Sequence, residues 1–214
     1  MTALEFINKY KFIAILRHIE PKYIASAAKA LYDGGIRIFE VTFDPSNPNT
    51  IQDTSYIISK IYSLFGNEVS VGTGTVLSVK YAKAAYKAGA QFIVSPCTDS
   101  RVIRYTKSKG MLSVSGAYTP TEIMNAYKLG TDIVKIFPIL PDDETYLKNI
   151  ISPLSHIPFM VTGGINPDTV EKFMKLGAAA VGAGITIITN ELCEKGAFGE
   201  ITEYAKKHLE KIHR

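Results

Sequence analysis

Residues 126–138 read AYKLGTDIVKIFP and join the end of a predicted helix to the start of a predicted buried strand. Gly130 stands where a helix C-cap needs a left-handed residue. The apolar, β-branched run after it has the length and residue types of a strand that is covered on both faces. The same phrase, a helical stretch closed by glycine and followed directly by an apolar run, occurs at residues 30–43, 84–96, 105–116 and 173–184.

Three further apolar runs complete the set of predicted strands, at residues 12–16, 68–74 and 157–164. The segments between strands begin with polar caps or prolines that start helices, as at Thr119-Pro120. Eight strands alternating with helices in 214 residues leave about 27 residues per unit, near the lower limit for a (β/α)8 barrel. We therefore predict an α/β fold, a TIM (β/α)8 barrel with an extra N-terminal helix, as a single domain over residues 1–214.

An open doubly wound sheet is the competing arrangement. It is also built from βα units, and it also buries its strands on both faces. Against it, no GxGxxG motif opens a helix after the first predicted strand.

The composition, with 46% hydrophobic and 21% charged residues, excludes a disordered, collagenous or disulfide-stapled chain. Cys97 and Cys193 form no CxxC or Cys/His cluster, which favours a reducing, cytoplasmic location. The four histidines show no metal-ligand spacing with each other or with the cysteines, so no metal is expected. No apolar run reaches the roughly 18 residues that span a bilayer, and the first residues do not resemble a signal peptide.

Lys and Arg outnumber Asp and Glu by 24 to 20, and part of the excess lies in the tail, residues 203–214. A terminal helix with one solvated face explains this tail better than a nucleic-acid surface, which would need a clustered basic stripe. We therefore expect neither a nucleic acid nor a membrane as a partner, and we expect His208 and His213 to face solvent on this helix.

Lys135 is a charged residue in the middle of a predicted buried strand. Alternation places it on the same face as Ile133 and Phe137. Because both faces of a barrel strand are enclosed, the ammonium is expected to be desolvated. Desolvation lowers a lysine pKa and yields the neutral amine that attacks a carbonyl. The alternative is a lysine that extends to the barrel mouth or pairs with a carboxylate.

Two more charged residues occupy predicted strands. Glu40 shares a strand face with Ile38 and Thr42, so its carboxylate is either the partner of a buried cation or an acid/base group with a raised pKa. Arg17 closes the first strand, at the end where TIM barrels place their active sites, and its guanidinium suits bidentate capture of a carboxylate. A surface arginine at the start of a loop is the alternative.

Hydroxyls and glycines follow other predicted strands. Thr75 ends the third strand, where a short polar side chain can orient a bound carboxylate or carbonyl. Gly163 and Gly164 end the seventh strand, where backbone N–H groups can approach an anion, and Gly184 ends the eighth. Tight βα turns also need glycine, so each motif is weak evidence by itself.

Taken in order and spacing, FEVT, VGTGTVL, GAQFIVSP, VKIFP and VTGGI resemble the class I 2-keto-3-deoxy-6-phosphogluconate / 4-hydroxy-2-oxoglutarate (KDPG/KHG) aldolase family over about residues 11–190. The resemblance implies a lyase without a cofactor that releases pyruvate from a keto acid substrate, and it implies a homotrimer. By the same resemblance, Lys135 is the Schiff-base lysine and Glu40 the general acid/base. The remaining implied contacts to substrate are Thr75, Pro96, Thr162, Gly163 and Gly164.

This chain departs from the family pattern at several positions. Asp44 stands where gluconate-type members carry an arginine for the substrate carboxylate, so we assign that clamp to Arg17, which resembles the first-strand arginine of galactonate-type members. Gly184 replaces a serine that contacts phosphate in many members. Residues 142–144, DDE, would repel a phosphate if they faced it. Thr162 resembles the gluconate-type members instead.

Two other functions stay open on the sequence. One is a metal-free phosphate-sugar isomerase or synthase on the same barrel, in which Lys135 acts only electrostatically. The other is an inactive barrel that binds carboxylates, which the departures at Asp44 and Gly184 favour.

Overall fold

The structure is a computed structural model that describes residues 1–140, 142–184 and 187–212. Eight strands lie in the predicted positions. They are β1 (Phe12–Leu16), β2 (Ile38–Thr42), β3 (Ser70–Gly74), β4 (Phe92–Val94), β5 (Leu112–Ala117), β6 (Ile133–Ile136), β7 (Phe159–Thr162) and β8 (Ala180–Ala183).

Helices alternate with the strands, and one additional helix precedes β1. In the described residues they are α1 (Ala3–Tyr10), α2 (Ile24–Asp33), α3 (Thr50–Phe65), α4 (Val79–Lys87), α5 (Ser100–Ser108), α6 (Pro120–Lys128), α7 (Glu144–Ile151), α8 (Val170–Lys175), α9 (Asn190–Glu194) and α10 (Phe198–Glu210). Short 3-10 helices cover Pro21–Tyr23, Gly66–Glu68 and Ser152–Leu154.

The sheet is a closed parallel barrel in which each strand pairs with the next, and β8 pairs with β1 through Ala14 and Ala183. This closure confirms the predicted TIM barrel and excludes the open doubly wound sheet, because β1 has hydrogen-bonded neighbours on both sides. The repeated glycines behave as their phrase predicts. Each of the five adopts a positive φ after its helix: Gly35, Gly89, Gly110, Gly130 and Gly177.

The strands separate two cores. Side chains that point into the barrel, such as Ile13, Phe92 and Met160, form one buried cluster together with Phe6 and Ile7 of α1. Helix α1 therefore packs at the amino ends of the strands and closes that end of the barrel. Side chains of the opposite strand face form the larger cluster beneath the outer helices. The carboxyl ends of the strands remain as the end at which a polar site can form.

The prediction for His208 is wrong. Its residue is fully buried, Nδ1 lies 2.7 Å from the Tyr204 carbonyl, and the ring lies 5.3 Å from that of Phe12. The physical reason is the helical period of α10, which places His208 on the same buried face as Ile201 and Ala205. His213 lies outside the described residues. Among the described helices, none is both long and apolar enough to cross a membrane.

Burial of His208 predicts an acid-dependent loss of stability. Burial lowers the pKa of this imidazole, and the hydrogen bond to the Tyr204 backbone opposes the shift. As the pH falls through about 6.5, His208 therefore binds a proton in the unfolded chain but stays unprotonated in the folded chain. The free energy of unfolding decreases as a result. Replacing His208→Leu should flatten the fall in Tm between pH 7.5 and 5, measured by circular dichroism. The exposed His156→Gln is the matched control, and an unchanged slope in the His208 variant would contradict the assignment.

Candidate active site

Lys135 lies on β6 with its side chain inside the barrel. Its neighbours across the sheet are Gly116 on β5 and Met160 on β7, and the residue is only 4% exposed. The ammonium nitrogen lies 4.8 Å from the centroid of the Phe137 ring, two residues further along the same face. No carboxylate in the described chain comes within ion-pairing distance of it, so the structure removes the predicted alternative of a paired structural lysine.

Glu40 lies on β2, four strands away from β6 in a barrel of eight, and is 1% exposed. Neither carboxyl oxygen has a hydrogen-bond partner in the described chain. A buried carboxyl without partners costs folding free energy, so its presence is explained by chemistry better than by stability. The Ser70 hydroxyl also has no hydrogen-bond partner in the described chain, but it lies at the amino end of β3, away from the end where the site forms. An unpartnered buried group therefore indicates a functional residue only when it also lies at the carboxyl ends of the strands.

Gly74, at the end of β3, provides the space for this carboxyl group. A Cβ atom at residue 74 would lie 1.9 Å from Oε1 of Glu40. No larger residue fits there while Glu40 keeps its conformation. The sequence offers the signal for this, a glycine at an inward-facing position of a strand, but its partner on β2 becomes visible only in three dimensions.

Burial shifts both titratable groups toward their uncharged forms. Desolvation raises the pKa of the Glu40 carboxyl, against the opposing charges of Lys135 and Arg17. Desolvation lowers the pKa of the Lys135 amine; the charge of Glu40 opposes this fall, and that of Arg17 adds to it. The two groups lie near enough to act on each other, and the interior favours a neutral amine facing a neutral acid.

A cavity of about 640 Å³ opens at the carboxyl ends of β6, β7, β8 and β1. Six of the predicted site residues line it: Arg17, Lys135, Thr162, Gly163, Gly164 and Gly184. Arg17 is exposed at the mouth of the cavity, and in the described chain its guanidinium has no carboxylate within 4.0 Å. It is thus available to bind an anion from solution.

Thr162 ends β7 at the wall of the cavity. It is 2% exposed, and its hydroxyl has no hydrogen-bond partner in the described chain. The turn that follows begins at Gly163 with a φ of 94°, and a Cβ atom there would lie 2.7 Å from the Ile139 carbonyl oxygen. The β7 turn therefore needs glycine for its conformation and for its close approach to the segment after β6, whatever else its N–H group does.

Two predicted residues, Thr75 and Pro96, do not line this cavity. Thr75 is half-buried at the end of β3, and its φ of 57° is unusual for a residue with a branched Cβ. Pro96 packs against the β5 backbone, where a Cβ at Gly116 would lie 2.2 Å from its carbonyl oxygen. Glu40 does not line this cavity either. The roles proposed for Thr75 and Pro96 stay predictions.

The acidic departures do not point into the cavity. Asp44 accepts hydrogen bonds from the Ser46 backbone and hydroxyl at 2.9 and 2.6 Å, and lies 3.1 Å from Nδ1 of His18. In the segment 142–144, Asp143 accepts a hydrogen bond from Leu140 N, and Glu144 pairs with two lysines of α7 and α8. None of these acidic residues lines the cavity.

Sequence reasoning missed several residues of the cavity wall. His18, Phe137, Asn166 and Asn190 all line it. Phe137 could have been found, since it shares the strand face of Lys135. His18 and Asn190 could not, because they lie 172 positions apart in the chain and meet only when β8 closes onto β1.

The fold and the site together are those of a class I aldolase, in which a lysine amine forms the covalent intermediate. The sequence model of the KDPG and KHG aldolase family matches residues 4–204, and this chain belongs to that family. The chain is 27% identical to the 2-dehydro-3-deoxy-phosphogluconate aldolase of Treponema pallidum, covering 98% of this chain and 97% of the relative. It is 31% identical to the 2-dehydro-3-deoxy-6-phosphogalactonate aldolase of Escherichia coli K12, covering 85% and 86%.

A solved structure, described as native KDPGal, has the same fold as this chain. It superposes with a TM-score of 0.85 at 28% sequence identity, covering 96% of this chain and 95% of that one. The match thus extends over almost the entire length of both chains.

Gly74→Ala tests the packing of the buried acid. The added methyl group must displace the Glu40 carboxyl, so pyruvate-releasing activity should fall by roughly 10²-fold or more, the usual contribution of a general acid/base. Gly199→Ala is the matched control, since a Cβ there meets nothing within 4 Å. Wild-type turnover in a folded Gly74→Ala protein would show that the position of Glu40 does not matter.

Proposed function

We propose that this protein cleaves a 2-keto-4-hydroxy acid to pyruvate and an aldehyde through a Schiff base on Lys135. The observation that carries the proposal is a pair of buried groups on facing strands, the Lys135 amine and the Glu40 carboxyl, neither of which has an ion-pair or hydrogen-bond partner among the described residues. Membership of the aldolase family supports it independently.

Lys135 acts as the nucleophile. Because burial lowers its pKa, a usable fraction of the amine is unprotonated and can attack the C2 ketone to give a carbinolamine. Loss of the former ketone oxygen as water, with a proton from Glu40, leaves a protonated imine. This imine accepts the electron pair released when the C3–C4 bond breaks, so the nitrogen serves as the electron sink.

Glu40 moves the protons of the cycle. Its raised pKa provides the acid form that dehydration needs. Once the imine is cationic, its charge lowers the pKa of the neighbouring carboxyl, and the resulting carboxylate can take the C4 hydroxyl proton as the aldehyde leaves. The same proton then passes to C3 of the enamine, and the carboxylate next accepts a proton from the water that hydrolyses the imine. Pyruvate and both neutral groups are restored.

The remaining contacts divide the substrate between two regions. Arg17 binds the C1 carboxylate at the cavity mouth, and the hydroxyl of Thr162, which has no hydrogen-bond partner in the part of the chain that the structure describes, faces the pyruvoyl half. Gly163 and Gly164 offer backbone N–H groups to the far end, beside Gly184. Thr75 and Pro96 support the pyruvoyl end from behind.

The identity of the aldehyde half is part of the proposal. With a 6-phospho substrate the aldehyde is glyceraldehyde 3-phosphate; with 4-hydroxy-2-oxoglutarate it is glyoxylate. Thr162 favours the gluconate type, whereas Arg17 and the 31% identity to the galactonate-type relative favour the other stereochemistry. Because residues 142–144 do not line the cavity, their charge is no argument against a phosphorylated substrate.

A cytoplasmic location and a homotrimeric assembly are also part of the proposal. Two free cysteines, Cys97 and Cys193, fit a reducing cytoplasm. A homotrimer, which the family resemblance implies, would give a mass near three times 23.5 kDa in sedimentation equilibrium.

Borohydride trapping tests the nucleophile. Incubation with pyruvate and borohydride should add one reduced pyruvate to the chain, and peptide mapping should place it on Lys135. Lys135→Ala should lose both the label and turnover. The exposed Lys83→Ala serves as the control and should keep both. A label on another lysine, or no label, would overturn the proposal and would favour an isomerase or an inactive binding barrel.

Glu40→Gln separates the proton-transfer role from the covalent step. The amide keeps the volume of the side chain but cannot shuttle protons, so cleavage should slow by roughly 10²- to 10⁴-fold. Prolonged incubation with pyruvate and borohydride should still label Lys135. Glu203→Gln on the exposed side of α10 is the control. Turnover within a few-fold of wild type in the Glu40 variant would remove Glu40 from the mechanism.

A further inference from the structure

His18 forms part of the cavity mouth directly after Arg17. Its side chain is 58% exposed, and it lines the same cavity as Lys135. Its φ of 57° places a non-glycine residue in the left-handed region, which costs backbone energy. Such strain persists only where surrounding contacts hold it in place.

Contacts from two other parts of the chain hold His18. Asn190, at the start of α9, donates its side-chain amide to the His18 carbonyl at 2.6 Å and accepts the Glu20 N–H at 3.1 Å. Asp44, after β2, lies 3.1 Å from Nδ1 of the ring. Asp44 is itself fixed by two hydrogen bonds from Ser46. The main chain and one ring nitrogen are therefore both held before any ligand arrives.

The orientation leaves Nε2 as the ring atom for a ligand. Burial is slight here, but hydrogen bonds from Ser46 and the neighbouring His18 keep the pKa of the Asp44 carboxyl low, so it is ionised at neutral pH. When both ring nitrogens carry protons, Nδ1 donates to Asp44 and Nε2 donates to a ligand.

The number of cationic side chains in the cavity indicates which part of the substrate His18 contacts. Among the described residues that line the cavity, three side chains can carry a positive charge: Arg17, His18 and Lys135. In the proposed function, Lys135 is used at C2 and Arg17 at the C1 carboxylate. If the aldehyde half of the substrate carries a second anionic group, His18 is the remaining side chain of this set that can bind it.

We propose that His18 is a specificity-determining residue whose Nε2–H binds the anionic group at the far end of the substrate, with Asp44 and Asn190 as its positioning residues. The inference rests on the proposed function and deepens it. The anion is a phosphate or a carboxylate, since both present oxygen acceptors with negative charge.

Matched substrate pairs test the proposal. One pair is 2-keto-3-deoxy-6-phosphogluconate and its dephosphorylated form; the other is 4-hydroxy-2-oxoglutarate and 4-hydroxy-2-oxopentanoate. For wild type and His18→Ala, the ratio of kcat/KM for the anionic member to that for the neutral member is measured. Loss of a hydrogen bond to a charged group should lower this ratio by about ten- to a hundred-fold. A fall in the first pair alone identifies phosphate, and a fall in the second alone identifies carboxylate.

Controls separate this proposal from the one on which it rests. Pyruvate has no far end, so His18→Ala should be trapped on Lys135 by borohydride as efficiently as wild type. His156→Ala, at an exposed site away from the cavity, should keep wild-type ratios. Unchanged ratios with normal trapping overturn the role of His18 alone. Failure of trapping in the wild-type protein overturns the Schiff base and this inference together.

Asp44→Asn tests the positioning role. The amide can still accept a hydrogen bond but lacks the negative charge that holds the doubly protonated ring, so KM for the anionic substrate should rise several-fold while kcat stays near wild type. The nitrogen chemical shifts of the His18 ring should differ from those of wild type. A fall in kcat with an unchanged KM and unchanged histidine shifts would contradict this role.

Discussion

A lysine amine and a carboxyl group share the interior of a closed barrel, and the cost of burying charge drives both toward their neutral forms. This constraint explains the rest of the site. A contact ion pair would have kept Lys135 protonated and Glu40 ionised, and an ammonium has no lone pair with which to attack a carbonyl. The barrel instead places the two side chains on strands four apart. At this separation each charge affects the pKa of the other group, but the two groups form no ion pair. In the proposed mechanism, the charge of the imine lowers the pKa of the Glu40 carboxyl at the step where a base is required.

The site also needs space inside the barrel for its side chains, and glycines on neighbouring strands provide this space. Interiors of eight-stranded barrels are normally filled by layers of large side chains. In this protein the layers nearer the amino ends follow that rule, with Ile13 and Phe92 in one buried cluster with Phe6 and Ile7 of α1. Nearer the carboxyl ends, Gly74 gives room to Glu40, and Gly182 lies against Thr162, where a Cβ would come within 2.9 Å of the threonine methyl group. The site therefore exists because packing stops partway along the strands.

The sequence predicted the barrel and the two charged residues buried in its strands for one physical reason. A strand alternates its faces, so a charge inside an apolar run is visible without coordinates, as it is for Lys135 and Glu40. His208 was misjudged because a histidine on a charged helix is ambiguous until the buried face of α10 is known. The hydrogen bond between His18 and Asp44 was invisible, because a loop contact depends on how two strand ends are staggered. The concern over residues 142–144 could be resolved only by their position outside the cavity.

Chemistry and specificity thus have different structural supports. Lys135, Glu40 and Thr162 lie within strands, where ladder hydrogen bonds and two cores fix each backbone. His18 lies in a loop that Asp44 holds from β2 and Asn190 holds from the start of α9. If His18 binds the far-end group as proposed, a substitution in this loop can change which group is accepted without moving the amine, because the described residues show no hydrogen bond between His18 and Lys135. The same proposal gives a reason for the absence of an arginine at position 44: Asp44 orients the neighbouring histidine, and Arg17 and His18 would bind the anionic groups.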